Sequence, residues 1–237
     1  MSCPYTVITI MLLAIDTATQ IMSLALHNGR ELLGEQTWAR SENPTEQLAP
    51  AVIALLARCD ATITQLSGLA VSTGPGTYAE LRTGIAFAKG LAAARGLPLV
   101  GVTSLDIIAA GQPYFQASLI VALGVGRGRI AVGRYQWKKG RWSGRGDPQL
   151  MTWESLFSSV DGTAYLSGEI DDEGQDALAS AQKNDVPVTL IPPAYRLRRA
   201  GFLAEEAWSQ LKNGKSADFP AAKVAPVDLK PSASPAS

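Results

Sequence analysis

Residues 12–38, LLAIDTATQIMSLALHNGRELLGEQTW, carry the pattern from which the architecture is read. LLAID (12–16) is a short apolar run closed by an acid, as in a buried strand. MSLALHNGRELLGEQTW (22–38) reads as two strands about Asn28-Gly29, because a two-residue hairpin turn needs positive φ and Asn-Gly tolerates it. Three successive strands, the second and third antiparallel, therefore precede any helix. A dinucleotide-binding domain would alternate strand and helix from its first strand.

The order continues with a helix. Asn43 is a candidate cap, Pro44 suits the first helical position, and Glu46 stands where a capping box places its carboxylate. Leu48, Val52, Leu55, Leu56 and Cys59 then form one apolar stripe, predicting a helix over 45–58 that Pro50 should kink or loosen. GLAVSTG (68–74) reads as a buried strand, Thr77 with Glu80 as a capping box opening a helix over 78–95, LPLVGVTS (97–104) as a strand, and LDIIAA (105–110) as the start of a helix. Strand, strand, strand, helix, strand, helix, strand is the order of a ribonuclease-H-like half-domain, the unit duplicated in the two-sub-domain actin-like α/β fold.

A second region holds strand patterns at 118–125, 129–137, 164–168 and 186–191, and helix patterns at 153–159, 176–183 and 200–214. The expected division is 12–110 for the first sub-domain and 111–230 for the second, with 1–11 and 231–237 (the latter PSASPAS) disordered. No internal repeat is legible.

Composition narrows function. The 237 residues are 46% hydrophobic and 18% charged, a globular balance, with 21 basic and 21 acidic side chains. A freestanding nucleic-acid binder would show a basic surplus, so any RNA contact is local or shared with a partner. Cys3 and Cys59 make no disulfide framework and suit a cytoplasmic protein. A single histidine, His27, rules out metal sites built on paired histidines. The apolar N-terminus lacks any basic residue before Arg30 and is interrupted by Asp16, so neither an export signal nor a membrane span is expected, and Met11 is an alternative start.

Three stretches are candidates for function. In GPGTYAELRTG (74–84), Gly74 and Gly76 permit a tight turn at a helix start, and Gly74, Gly76 and Ala79 fit a loose phosphate-cradle pattern. The turn follows the fourth strand, however, and the next strand ends in Thr103-Ser104 without a ribose-gripping carboxylate, so a turn without ligand is the simpler reading. The helix that follows has only Arg82 and Lys89 as charges between Leu81 and Ala94 and is rich in Gly and Ala, so it should be covered on two sides, by its own sheet and by a partner helix or second sub-domain. Finally, Arg127, Arg129, Arg134, Lys138, Lys139, Arg141 and Arg145 are interleaved with Tyr135, Trp137 and Trp142. Basic and aromatic residues together can grip RNA, and a hairpin with a solvated KKGR turn explains the same letters. Arg196, Arg198 and Arg199 would extend this patch or cap a helix.

LLAIDTAT (12–19), GLAVSTGPGTYAELRTGIAFAKGLAAARGLPLVGVTSLDIIA (68–109) and APVDLKP (225–231) together resemble the TsaB (YeaZ) family. The resemblance implies an actin-like fold with a degenerate active site, no catalytic or metal-ligating residue, and a role as scaffold in the bacterial formation of tRNA threonylcarbamoyladenosine. It implies docking to a catalytic TsaD-like subunit through the first two helices, here with Leu48, Val52, Leu55, Leu81, Gly84, Ile85, Ala88, Lys89 and Ala92 as contacts. A charged replacement at Gly84 or Ala88 should then break the complex and spare the monomer. A TsaE-like ATPase joins the pair, the chain alone forms a homodimer, and tRNA is met through the complex, with Arg127, Arg129, Arg134, Lys138 and Lys139 as candidate contacts. Asp16, Thr17, Gly74 and Gly76 are what is left of the phosphate loops; no cofactor is required, and ATP is admissible at the partner interface. The chain departs from the family at Asn43-Pro44-Thr45, where a histidine is usual, at Ala79, Glu80 and Thr83, at GVGRGRIA (124–131) in place of a DARRGEVY-like stretch, and at DLK in place of YLR. The competing reading is an actin-like nucleotide-binding enzyme, ATPase or metallo-transferase/protease, acting on its own.

Overall fold

The computed structural model describes residues 10–40, 44–227 and 229. β1 (Leu12–Asp16), β2 (Ile21–His27) and β3 (Leu32–Ala39) form the expected meander. Its Asn28-Gly29 turn is closed by Asn28 Oδ1, which accepts the N–H of Arg30 at 2.9 Å and of Glu31 at 2.8 Å, while Gly29 takes φ of 87°. α1 (Pro44–Arg58), β4 (Gly68–Ser72), α2 (Tyr78–Arg95) and β5 (Leu99–Val102) complete a five-stranded sheet of order β3-β2-β1-β4-β5. β4 runs parallel to β1, and β5 parallel to β4, which the intervening helices allow because each carries the chain back across the sheet.

Alternation along the strands sorts the core. Leu13, Ile15, Met22, Leu24, Leu26, Leu69 and Val71 face α1 and α2. Leu12, Ala14, Ala25, Ala70, Val100 and Val102 face the opposite side. Pro50 lies within α1 without dividing it. Asn43, the expected cap of α1, lies outside the described residues. Thr77 does stand at the N-cap of α2, but its side chain makes no capping bond, and the Glu80 carboxylate turns to Arg40 instead. The second capping box is thus corrected: a guanidinium outcompetes the neutral main-chain donor. Met11, expected among disordered residues, is buried; its N–H donates to Ser67 Oγ at 2.7 Å, and Ser67 N–H donates to its carbonyl at 2.8 Å. Residues 1–9 and 231–237 lie outside the described residues.

The second half comprises α3 (Ser104–Ala110), β6 (Ser118–Gly126), β7 (Arg129–Lys138), β8 (Arg141–Gly144), β9 (Gln149–Met151), α4 (Trp153–Ser158), β10 (Ala164–Gly168), α5 (Asp172–Lys183), β11 (Val188–Leu190), α6 (Pro193–Arg196) and α7 (Ala200–Asn213). Its sheet has the order β11-β10-β6-β7-β8, with β9 added on β7. Read from β8 to β11, this repeats the first sheet, so the molecule is a duplicated ribonuclease-H-like unit although no repeat is visible in the letters.

The helix that ends each half crosses to the other. Leu105, Ile108 and Ala109 of α3 pack with Leu119, Val121 and Leu123 of the second sheet, whereas Ala200, Leu203, Ala204 and Ala207 of α7 pack with Leu12, Ala14 and Ala25 of the first. This corrects the division at 110/111: α7 and Val224 belong to the first lobe's core. Small residues on both surfaces, Ala against Ala, let α7 approach the sheet closely and leave it no other place to bury that stripe.

Candidate functional site

Asp16 ends the central strand of the first sheet and shares a face with Leu12 and Ala14, so its carboxylate points toward the cleft between the lobes. Asp16 Oδ1 accepts Ala18 N–H at 3.0 Å, an Asx turn of a strand-end acid. Asp16 Oδ2 is bound by Arg198 Nε at 2.5 Å, with both side chains essentially inaccessible to water. The same guanidinium donates to Glu169 Oε1 of the second lobe at 2.9 Å, to Thr19 Oγ1 at 3.0 Å and to the Ile21 carbonyl at 3.3 Å. Thr19 Oγ1 in turn donates to Glu169 Oε1 at 2.6 Å. Burial pulls the Arg198 pKa down, and the charges and hydrogen bonds of Asp16 and Glu169 outweigh it and raise it. Losing one member of such a buried pair typically costs about 3–5 kcal/mol, because the other charge stays buried without a partner. The expectation that Arg198 extends a basic surface or caps a helix is corrected: it is the buried counter-ion of the cleft.

The loop read as a phosphate cradle is filled by protein. A Cβ at Gly76 would lie 2.2 Å from the Ala18 carbonyl oxygen, and one at Gly84 would lie 2.2 Å from Thr17 Oγ1. Thr77 N–H donates to the Ala18 carbonyl at 2.8 Å, and Thr17 Oγ1 donates to the Glu80 carbonyl at 2.8 Å. Asp16, Thr17, Gly74 and Gly76 are therefore brought together, but they engage one another and Arg198. The glycines serve a close approach of two backbones.

Beside this interlock lies a cavity of about 820 Å³, walled by Pro75, Gly76 and Tyr78, by Arg127 and Arg129 at the β6–β7 tip, and by Pro226. A smaller cleft of about 380 Å³ on the other side contains Asp106, Tyr135, Arg141 and Glu206. There the Tyr135 hydroxyl donates to Asp106 Oδ1 at 2.9 Å; burial, then the Asp106 charge and hydrogen bond, push its phenol far above the ordinary range. Burial raises Glu206, the Arg141 charge opposes this, and the Asp106 and Glu205 charges add to it.

The expected contact residues of the two helices are corrected by burial. Leu48, Val52, Leu55, Leu81, Ile85, Ala88 and Ala92 are all covered within the chain itself, and Gly84 abuts Thr17; the strongest apolar stripe of a helix goes to its own sheet. Lys89 is half-buried on the flank. What α1 presents outward includes Ala49, Ile53 and Ala57, with Ile53 65% exposed, beside Glu46, Pro50, Ala54 and Arg58. From α2 the exposed residues include Ala79, Ala86, Gly90 and Ala93 beside Tyr78, Arg82, Ala94 and Arg95, and a Cβ at Gly90 would meet nothing within 4 Å.

The basic stretch is divided by its strand. Arg127 and Arg129 lie at one end of β7, Lys138 and Lys139 at the other, roughly 30 Å apart at the rise of an extended strand. Lys139 and Gly140 form the β7–β8 turn with φ of 50° and 80°, as the hairpin reading of KKGR expected. Arg134 binds Ser159 Oγ at 2.7 Å. Burial first, then the Arg145 charge, lowers its pKa. The pairing of Glu169 with Arg198 is not legible in the sequence. Its one available signal is that Arg196, Arg198 and Arg199 immediately precede an alanine-rich helix, where cations oppose the helix dipole and need nearby acids.

Residues 38–183 match the family model described as "TsaD: tRNA N6-adenosine threonylcarbamoyltransferase". The chain is 33% identical over 129 residues to the tRNA threonylcarbamoyladenosine biosynthesis protein TsaB of Bacillus subtilis, spanning 54% of this chain and 56% of that one, about half the length of each. It is 32% identical over 161 residues to the protein of the same description from Escherichia coli, spanning 67% and 68%. Among solved structures, YeaZ from Pseudomonas aeruginosa superposes with a TM-score of 0.71 at 23% identity, covering 93% of this chain and 100% of that one. An uncharacterized protein with similarity to peptidase YEAZ from Pseudomonas aeruginosa gives 0.77 at 22% identity, with the same coverage. These structures agree with the fold, two sheets of the actin-like kind.

Proposed function

The chain belongs to the TsaB (YeaZ) family, and on that premise we propose that it is a non-catalytic subunit in the biosynthesis of tRNA threonylcarbamoyladenosine, docking a TsaD-like catalytic partner on the outward faces of α1 and α2. The observation that carries this reading is the stripe Ala49, Ile53, Ala57, Ala86, Gly90 and Ala93, apolar or small and exposed on one side of the first sheet. Small side chains let a partner's helices come close, and Ile53 supplies an apolar anchor. The interlocked loops around Asp16 and Gly76 support the non-catalytic part, since the main chain and Arg198 take the places that a phosphate would need. A TsaE-like ATPase would join the assembled pair, ATP would lodge at the partner interface, and two copies of this chain would share the same stripe in the absence of the partner. tRNA would be held by the complex, touching this chain at Arg127 and Arg129 beside the large cavity or at Lys138 and Lys139.

The test replaces the outward residues. Ile53→Glu and Gly90→Arg should abolish co-elution with the TsaD-like protein of the same organism in size-exclusion chromatography, with the thermal midpoint of the isolated chain unchanged. Gly84 and Ala88 are the wrong targets, because both are packed inside the monomer. Retention of full partner binding by both outward variants would refute the docking face.

A further inference from the structure

The smaller cleft, of about 380 Å³, has aromatic walls and two unfinished polar groups. Tyr135 and Trp137 of β7 share one face of the second sheet with Trp142 of β8, since Trp137 and Trp142 are register partners and side chains two apart point the same way. Arg134 and Lys138 fall on the other face by that alternation, and neither Lys138 nor Lys139 is among the walls. Trp137 meets Trp142 edge-on, with ring centroids 5.4 Å apart, and Tyr114 at 5.3 Å, yet stays 37% exposed.

Two acids, Asp106 and Glu206, complete the walls with Arg141. The Asp106 carboxylate accepts the Tyr135 hydroxyl at 2.9 Å and the Thr103 hydroxyl at 2.6 Å. Among the described residues Glu206 has only Arg141, at 4.0 Å, and that arginine's side chain is 62% exposed. The Glu206 carboxylate is thus drawn out of water with no close counter-ion, and burial raises its pKa. Gln112 is the second unfinished group. It is 5% exposed and lines the cleft. Its Nε2 donates to the Ile108 carbonyl at 3.0 Å and the Tyr195 carbonyl at 2.7 Å, while its Oε1 accepts nothing. Buried acceptors rarely go without a donor.

We propose that this cleft binds an organic cation, a primary ammonium on a short aliphatic stem, with Glu206 as counter-ion, Gln112 Oε1 as a further acceptor, and Trp137 and Trp142 about the stem. Aromatic faces attract cations, and two carboxylates against one guanidinium give the walls the right sign. A bare metal ion does not fit, because the described residues gather no group of three or more His, Cys, Asp or Glu able to hold one. The cleft lies on the α7 side of the first sheet, opposite α1 and α2, so it is independent of the docking face proposed above. A free diamine and a lysine side chain of another protein share this chemistry.

Thermal shift and isothermal titration on the full chain are the test. The probes are putrescine and Nα-acetyl-lysinamide, with sodium chloride at matched ionic strength as reference. At least one amine should raise the thermal midpoint and bind saturably, and sodium chloride should do neither. Glu206→Gln should weaken binding about tenfold or more, because a charge-assisted contact becomes neutral, and Trp137→Ala about two- to fivefold. Arg141→Ala should tighten it by removing the competing cation. Binding of putrescine alone assigns a free amine, and binding of the lysine derivative as well assigns a protein side chain. No saturable binding of either amine, or an affinity unchanged in Glu206→Gln, overturns the site. So does weaker binding in Arg141→Ala, since the guanidinium would then be serving an anion.

Discussion

Two glycines of α2 allow the packing of that helix to be measured against itself. Gly84 and Gly90 lie less than two turns apart in one helix, so replacing either by alanine brings the same propensity gain, about 1 kcal/mol. Their surroundings differ completely. A Cβ at Gly90 points into open space, whereas one at Gly84 lies 2.2 Å from Thr17 Oγ1 and 3.2 Å from Thr17 Cγ2. Thr17 must move, which breaks its 2.8 Å hydrogen bond to the Glu80 carbonyl. Overpacking costs about 1–3 kcal/mol and the broken bond about 1 kcal/mol more. The propensity gain cancels in the comparison, so Gly84→Ala should be less stable than Gly90→Ala by about 2–4 kcal/mol. Thermal midpoints then separate by roughly 5–15 °C for a chain of this size. Urea unfolding followed by circular dichroism gives the free energies directly. Equal stability of the two variants would refute the interlock of β1 and α2, and with it the argument that the glycine-rich loop is occupied by protein.

The polar cleft gives predictions with pH. Because the folded state raises the Glu206 pKa, it holds that proton more tightly than the unfolded chain, and stability falls as pH rises above the ordinary carboxylate value. Glu206→Gln should therefore stabilise at pH 7, with the advantage shrinking toward pH 4; an advantage that grows on acidification refutes this. Tyr135, raised by burial and Asp106, keeps its proton folded and loses it unfolded, so stability should decline above about pH 10, where free tyrosine ionises. Tyr135→Phe should remove that part of the decline in alkaline unfolding curves. On the proposed function, in which an assembled complex holds tRNA, neutralising Arg127 and Arg129, or alternatively Lys138 and Lys139, should lower the salt dependence of that binding by about one unit for each phosphate left without its cation. Because the two pairs lie at opposite ends of β7, a single phosphate cluster should respond to only one of them.

Local chemistry makes much of the fold readable. Asn28-Gly29 specifies its turn, and the apolar runs at 12–16 and 68–72 mark buried strands, whose parallel pairing the structure supplies. The pattern over 78–95 coincides with α2. The short strands β8 and β9 carry too few residues to show alternation. The faces of α1 and α2 mislead for a physical reason. Leu48, Val52 and Leu55 make the conspicuous stripe, and a helix buries its best stripe in its own core first; the outward Ala86, Gly90 and Ala93 are too small to stand out. Buried charge is the least legible feature. Arg198 looks like its neighbours Arg196 and Arg199 in sequence, and only the third dimension brings Asp16 and Glu169, distant in the chain, to the same guanidinium.

The exchange of terminal helices has a consequence for the newborn chain. The surface of the first sheet formed by Leu12, Ala14, Ala25, Val100 and Val102 is complete once β5 is made, but its cover, α7, begins only at Ala200. About a hundred residues must still be synthesised, which at ribosomal rates takes on the order of 5–20 s. Throughout that interval the nascent protein carries an unsealed greasy surface, so ribosome-bound chaperones and growth temperature should govern its yield more strongly than the stability of the finished molecule does.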